Sequence, residues 1–124
     1  MTKSPTILIV EDDEWLAEQH ARTLKAAGYT ISFVNNALAA MDVIDSQHLD
    51  LIVLDVLLAG PNAFTLLHEL RSHPDLGGIP VILCTNSADQ LAGEDIAAYG
   101  VAQVLDKAAM HPDDLVAAVK KALL

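Results

Sequence analysis

Five short apolar runs alternate with longer segments of helical period along the whole of this 124-residue chain. Each run is rich in aliphatic side chains, many of them β-branched, and is bounded by Gly, Pro, Asn or Asp. Three of the runs are almost continuously hydrophobic, which is typical of parallel strands that helices cover on both faces. The predicted strands are Ile7–Val10, Thr30–Val34, Leu51–Leu54, Ile79–Leu83 and Val101–Leu105.

The segments between the runs carry helix signals. The first helix is predicted from about Asp13 to Ala27, with Gly28 as its stop. Asn36 is a candidate N-cap for the second helix, whose predicted inward residues are Leu38, Met41 and Ile44. The remaining helices are predicted over Asn62–Ser72, over Ala88–Tyr99, and from His111 to the last residues.

This alternation predicts an α/β fold of the (βα)5 type. Right-handed crossovers would place all five strands in one doubly wound parallel sheet between two helical layers, a three-layer sandwich. We found no linker, internal repeat or low-complexity segment, so residues 1–124 are expected to form one domain. In such a sheet the ligand site lies beyond the carboxyl ends of the strands, where the strand order switches direction.

The charge balance restricts the partners. The chain has 7 Lys and Arg against 17 Asp and Glu, a formal net charge of −10. Nucleic acids and anionic membrane surfaces bind clustered Lys and Arg, so neither is expected as a partner. A secretory signal and a membrane span of roughly 18 apolar residues are both missing from the sequence, which favours a cytoplasmic location. The single cysteine, Cys84, lies in an apolar run and is expected to be a buried thiol.

Polar side chains follow four of the five predicted strands. Glu11–Asp13 follow the first strand, Asp55 the third, Thr85 the fourth and Lys107 the fifth. Because the carboxyl ends of parallel strands meet at one edge of the sheet, these side chains are expected to lie together. Carboxylate oxygens suit Mg²⁺, lysine supplies a compact positive charge, and threonine can donate a hydrogen bond to an oxyanion.

Asp55 is the most informative single residue. It ends a run that should be buried, and aspartate is seldom buried without a partner. An isolated aspartate at a strand end can simply be a helix cap or a locally satisfied side chain. Its coincidence with Glu11, Asp12 and Lys107 at matching strand ends favours a functional site instead.

At these residues the sequence resembles the receiver domains of two-component response regulators, which have the CheY-like, flavodoxin-like fold. The resemblance covers essentially the whole chain. Asp55 matches the family's phospho-acceptor, Thr85 its switch hydroxyl, and Lys107 its lysine after the fifth strand. By the same resemblance, Mg²⁺ would be held by Glu11 (mainly through water), Asp12, Asp55 and the backbone carbonyl of Leu57.

The resemblance also implies partners and a mode of action. Asp55 would accept a phosphoryl group from a phosphohistidine on a histidine kinase or histidine phosphotransfer protein. The domain would not be an enzyme in its own right, but would assist its own phosphotransfer and autodephosphorylation by positioning charge. Because the chain ends directly after the fifth predicted helix, output is expected to pass to a downstream protein that the sequence does not identify. The alternative is that the domain serves as a relay or a phosphate sink.

Five positions depart from the family pattern, and three of them motivate a second interpretation. Val104 stands where an aromatic residue is common, Ala108 where a proline usually follows the lysine, and Asn86 where a small residue commonly follows the switch threonine. These departures leave open a second interpretation, in which the chain is a degenerate receiver that binds a protein without being phosphorylated.

Two other classes fit less well. A Mg²⁺-dependent phosphohydrolase with an aspartyl nucleophile typically has a second aspartate two residues after the first, where this chain has Leu57. A flavodoxin-like FMN protein should open its first loop with Ser, Thr and Gly, whereas Glu11–Asp13 would repel a phosphate in the absence of a metal.

Overall fold

The computed structural model describes residues 4–55, 63–72, 78–85, 100–107 and 109–124. They form five strands and four helices, which alternate along the chain except between the fourth and fifth strands. The predicted helix at Ala88–Tyr99 falls outside the described residues. The elements are β1 (Thr6–Val10), α1 (Glu14–Ala26), β2 (Thr30–Val34), α2 (Ala37–Ser46), β3 (Leu51–Asp55), α3 (Ala63–Ser72), β4 (Val81–Thr85), β5 (Val101–Asp106) and α4 (Pro112–Ala122).

The five strands form one parallel sheet in the order β2-β1-β3-β4-β5. The chain moves outward from β1 to β2 and then returns past β1 to β3, so the strand order changes direction between β1 and β3. The predicted doubly wound (βα)5 sheet is confirmed. β3 and β4 are buried along their whole length, which explains why their sequences show no polar alternation.

Two hydrophobic layers hold the helices to the sheet. Alternate side chains of each strand point to opposite faces, so Leu8 packs with α2 and α3, whereas Ile7 packs with α1 and α4. Burying a side chain such as Leu24 or Leu67, each fully inaccessible, stabilises the fold by roughly 1.5–3 kcal/mol. The three-layer sandwich is thus formed by the described helices.

The helix starts follow the sequence signals. The side chain of Asp13 accepts a hydrogen bond from the Leu16 N–H (3.1 Å), and that of Asn36 accepts one from Ala39 (2.8 Å). At α4, Pro112 occupies the first turn and the Asp114 carboxylate accepts a hydrogen bond from the His111 N–H (2.8 Å).

The predicted inward face of α2 is wrong at one position. Leu38 is 67% exposed, whereas Ala37, Ala40 and Ile44 are buried. With Asn36 as the cap, these three residues line up at spacings of three and four on the face toward the sheet. The small alanines allow the helix backbone to approach the strands closely, so hydrophobicity alone did not identify the buried stripe.

Two further points concern the element bounds. β4 begins two residues later than the predicted run and extends to Thr85, which is therefore a strand residue. Among the described residues, no helix is long and apolar enough to cross a membrane.

The turn after α1 requires a glycine, and this can be tested. Gly28 has a φ of +102°, where an L side chain is strained, although no atom lies within 4 Å of a Cβ placed there. We expect Gly28→Ala to lower the free energy of unfolding by about 1–2 kcal/mol, as measured by urea denaturation.

Gly78→Ala is the matched control. A Cβ at Gly78 also meets no atom within 4 Å, and its φ lies outside the left-handed region. The control should therefore be neutral or slightly stabilising, because alanine restricts the unfolded chain. Equal stability of Gly28→Ala and the wild type would show that this turn does not depend on glycine.

Candidate functional site

The polar residues predicted at the strand ends lie at one edge of the sheet. Glu11 directly follows β1, Asp55 ends β3, Thr85 ends β4, and Lys107 directly follows β5. Glu11 and Asp55 are neighbours across the β1–β3 pair, at the place where the strand order changes direction. This is where a doubly wound sheet opens a crevice for a ligand.

The ammonium of Lys107 lies between two buried carboxyl groups. Its Nζ is 2.7 Å from Oε1 of Glu11 and 2.8 Å from Oδ2 of Asp55. Glu11 is 2% exposed and Asp55 5% exposed, so both carboxyls are shielded from water. Removing the lysine charge would leave two buried acids without their cation, which is strongly unfavourable.

One lysine cannot neutralise two carboxylates, and a proton makes up the difference. Burial, followed by the hydrogen bond and charge of Asp55, raises the pKa of Glu11 from 4.5 to about 8, against the opposing effect of Lys107. Burial also disfavours the Lys107 ammonium, but its hydrogen bonds to Asp55 and Glu11 outweigh this and raise the pKa of the lysine. At neutral pH the Glu11–Asp55 pair therefore retains one proton.

Three carboxyl groups at this edge could hold a cation. Ligand oxygens of Glu11, Asp12 and Asp55 all lie within 4.8 Å of one another. Asp12 is exposed and the other two are buried, so the cluster is fixed on its inner side and open to solvent on its outer side. A site with a small number of protein oxygens, and with coordination positions left open for water or phosphate, matches the ligand preference of Mg²⁺.

Thr85 is positioned by the sheet beside this cluster. It is 1% exposed, and its backbone carbonyl accepts a hydrogen bond from the Lys107 N–H (2.8 Å). The backbone bond ties the end of β4 to the residue that carries the ammonium. The predicted hydroxyl and lysine are thus held by the same strand pair.

Other predicted positions have different outcomes. Leu57, Asn86 and Ala108 lie outside the described residues. The carbonyl ligand at Leu57 therefore stays a prediction, and the departures at Asn86 and Ala108 rest on the sequence alone. Val104 is half-buried and packs against the hydrophobic layer of α2 and α3. Cys84 is buried, as predicted, and burial raises the pKa of its thiol to about 12, so it is inert at neutral pH.

His20 is one of the buried residues of α1. It is 6% exposed, and neither ring nitrogen has a hydrogen-bond partner in the described part of the chain. Burial and then the charge of Lys107 lower its pKa, while Asp55 acts in the opposite direction. The neutral ring therefore fills space behind the site without adding charge to it. Nothing in the sequence indicated that the charge of Lys107 would lower the pKa of this ring.

Comparison with known proteins agrees with this geometry. The family model described as the response regulator receiver domain matches residues 7–120. Response regulator MprA of Mycobacterium bovis is 31% identical over 98 residues, which are 77% of this chain and 42% of that protein. The chain thus spans less than half the length of this curated relative.

Solved structures show the same fold. The receiver domain of a signal transduction histidine kinase from Syntrophus aciditrophicus is 31% identical, with a TM-score of 0.84 over 97% of this chain and 90% of that one. The receiver domain of a Pseudomonas aeruginosa sensor histidine kinase, solved with a magnesium ion in its active-site cleft, is 22% identical, with a TM-score of 0.87 over 98% of each chain. With its strand-end acids, its partly buried lysine and a family match over almost its whole length, this chain belongs to the response regulator receiver domains of two-component signalling systems.

Proposed function

We propose that this receiver accepts a phosphoryl group on Asp55 from a phosphohistidine of a histidine kinase or histidine phosphotransfer protein. The observation that supports this most directly is the position of Lys107, whose Nζ lies 2.8 Å from Oδ2 of Asp55. A cation held against the acceptor carboxylate is placed where charge gathers on a transferring phosphoryl group.

The transfer itself needs little covalent chemistry from the protein. An oxygen of Asp55 forms a bond to phosphorus while the bond from phosphorus to the donor imidazole nitrogen breaks, and the electron pair stays with the imidazole. The transition state is loose, so position and charge dominate the rate. Lys107 would neutralise the phosphoryl oxygens, and the Thr85 hydroxyl would donate a hydrogen bond to one of them. The domain is therefore a phospho-acceptor and not an enzyme with a separate substrate.

The donor set of the site fits a magnesium ion. Asp12 and Asp55 would hold it directly and Glu11 mainly through water, with the Leu57 carbonyl as the remaining predicted ligand. When bound, the ion offsets the negative charge that the carboxylates and the phosphoryl group bring together. The magnesium in the cleft of the similar Pseudomonas aeruginosa receiver supports this assignment.

Signalling would then pass through protein contacts. The formal net charge of −10 disfavours nucleic acid and anionic membrane surfaces as partners of this chain. This accords with a cytoplasmic protein that receives a phosphoryl group from a kinase. The downstream partner would recognise the receiver's surface after phosphorylation.

Phosphorylation can be tested with a small-molecule donor. After incubation with acetyl phosphate and Mg²⁺, the intact protein should gain the mass of one phosphoryl group, because Asp55 is held against Lys107. Asp55→Asn should show no gain. Asp13→Asn is the matched control, since asparagine can also cap α1 and Asp13 is outside the carboxyl cluster.

No mass gain in the wild type, with a folded protein and with Mg²⁺ present, would contradict the proposal. It would favour the degenerate receiver that acts as a binding module without phosphorylation. A gain that persists in Asp55→Asn would place the acceptor elsewhere.

Magnesium binding should depend on pH, and the sign follows from Glu11. The folded metal-free protein holds a proton at Glu11 up to about pH 8, which the unfolded chain loses near 4.5. Glu11 therefore lowers metal-free stability as pH rises between these values. A metal must displace that proton, so the rise in melting temperature caused by Mg²⁺ should be larger at about pH 9 than at about pH 6.

Two variants isolate this effect. Glu11→Gln carries no titrating proton, so its response to Mg²⁺ should be nearly independent of pH over that window, as followed by scanning calorimetry. Asp12→Ala should lose the response at every pH. Identical melting of the wild type with and without millimolar Mg²⁺ would count against the site.

A further inference from the structure

The outer edge of β2 lacks the features that usually protect an edge strand. Among the described residues, no strand lies beyond β2. Its sequence, Thr30–Val34, contains no charged residue and no proline, and its five residues pair with β1 in one continuous register. Phe33 is 47% exposed on it. Charged side chains, proline or a bulge are the common ways of preventing edge-to-edge pairing.

The opposite edge of the sheet is different. The register between β4 and β5 shifts at Val81 and Ile82, which marks a bulge or irregularity. β5 also carries Gln103 and an exposed Asp106. Of the two edges, β5 has these deterrents to pairing and β2 has none of them.

The hydrogen bonds of β2 show which backbone groups face outward. The Thr30 N–H donates to the Pro5 carbonyl (2.9 Å), and the Val34 carbonyl accepts from the Glu11 N–H (3.0 Å). In a strand, the N–H and C=O groups of one residue point to the same side, and successive residues alternate between the two sides. Thr30, Ser32 and Val34 therefore face β1, and the N–H and C=O groups of Ile31 and Phe33 face outward.

We propose that β2 pairs antiparallel with β2 of a second copy of this chain, about a two-fold axis at Ser32. In this register Ile31 lies opposite Phe33 of the second copy, and both residues have outward-facing backbone groups. The two symmetry-related Ile31–Phe33 pairs form four backbone hydrogen bonds. No other position of the two-fold axis within β2 pairs both Ile31 and Phe33 with outward-facing residues of the second β2. Ile31 and Phe33 lie on the same face of the sheet, so the exposed ring of Phe33 is covered by Ile31 of the second copy.

Helix α1 supplies the charge complementarity that selects a second copy as the partner. Glu14 and Glu18 lie in its first half, and Arg22 and Lys25 in its second half; all four are exposed. With about 100° between successive residues, Glu14, Glu18 and Lys25 fall within about 40° of one another. These three residues form a stripe with acids at one end and Lys25 at the other, so the stripe is complementary to a reversed copy of itself.

This stripe lies on the side of α1 toward the β2 edge. Glu14 lines a cavity with Phe33 and Val34, whereas Trp15 lines a different cavity with Leu115 of α4. Across the proposed axis, two copies of α1 run antiparallel, so Glu14 faces Lys25 of the second copy. Since α1 packs on β1 and β2, the two helix axes would lie about two strand spacings apart, or roughly 10 Å, within the usual range for packed helices.

The first experiment measures self-association. Sedimentation equilibrium of the unphosphorylated protein at physiological salt, from micromolar to millimolar concentration, should show a reversible monomer–dimer equilibrium. Phe33→Lys, which charges the edge, should raise the dimer Kd at least tenfold. Trp15→Lys is the matched control, because Trp15 is 68% exposed on the other side of α1, and its Kd should stay at the wild-type value. A wild type that remains monomeric throughout would overturn the proposal, as would an equal effect of Phe33→Lys and Trp15→Lys on the dimer Kd.

The second experiment tests the charge pairing. Glu14→Lys and Lys25→Glu should each weaken the dimer, because each places like charges opposite one another. The double variant exchanges the two charges and should return the Kd to within about threefold of the wild type, a residual of about 0.6 kcal/mol. Failure of the double variant to recover would show that the helices do not meet in this way.

The third experiment tests the register. On the two-fold axis, Ser32 faces Ser32 of the second copy as a non-hydrogen-bonded pair, about 4.5 Å apart between Cα atoms, which suits a disulfide. Ser32→Cys should therefore form a covalent dimer with oxidised glutathione, and Thr30→Cys should not, since Thr30 faces Val34 of the second copy. Equal cross-linking of both variants would overturn the register. The buried Cys84 should not react. None of these outcomes depends on phosphorylation of Asp55, so the two proposals can fail separately.

Discussion

The contact of Lys107 with Glu11 and Asp55 is the interaction on which the functional site depends. Two acids that are almost completely buried would repel each other and destabilise the domain if both were ionised without a cation. One ammonium, 2.7 and 2.8 Å from their oxygens, and one retained proton bring the group close to neutrality. In the proposed function, a divalent cation would take the place of this proton.

The parallel sheet explains how residues so far apart in sequence form this contact. Glu11 and Lys107 are 96 positions apart and follow strands that are not adjacent. Both strands end at the same edge, and the fully buried β3 and β4 between them hold Asp55 and Thr85 at that edge. The hydrophobic layers on both faces therefore do more than stabilise the fold, because they fix the spacing of the polar groups.

Most of the fold could be predicted from the sequence, because strand and helix periods differ and the apolar runs are well separated. The position of Asp55, Thr85 and Lys107 at one edge of the sheet could also be predicted, because each lies at the end of a predicted strand. The exposure of Leu38 could not, since close packing of α2 favours alanine over the more hydrophobic leucine. Nor could the proton on Glu11, because a pKa depends on burial and on distances between side chains that pattern alone does not give.

The most direct test of the central contact is the titration of Glu11 by carbon-13 NMR. In the metal-free protein, the carboxyl resonance of Glu11, assigned by comparison with Glu11→Gln, should titrate with a midpoint near 8 because of burial and the neighbouring Asp55. Lys107 should remain charged across the same range, since its pKa is raised. A Glu11 midpoint near the ordinary value of 4.5 would show that Glu11 does not retain a proton beside Lys107, and would contradict this account of the site.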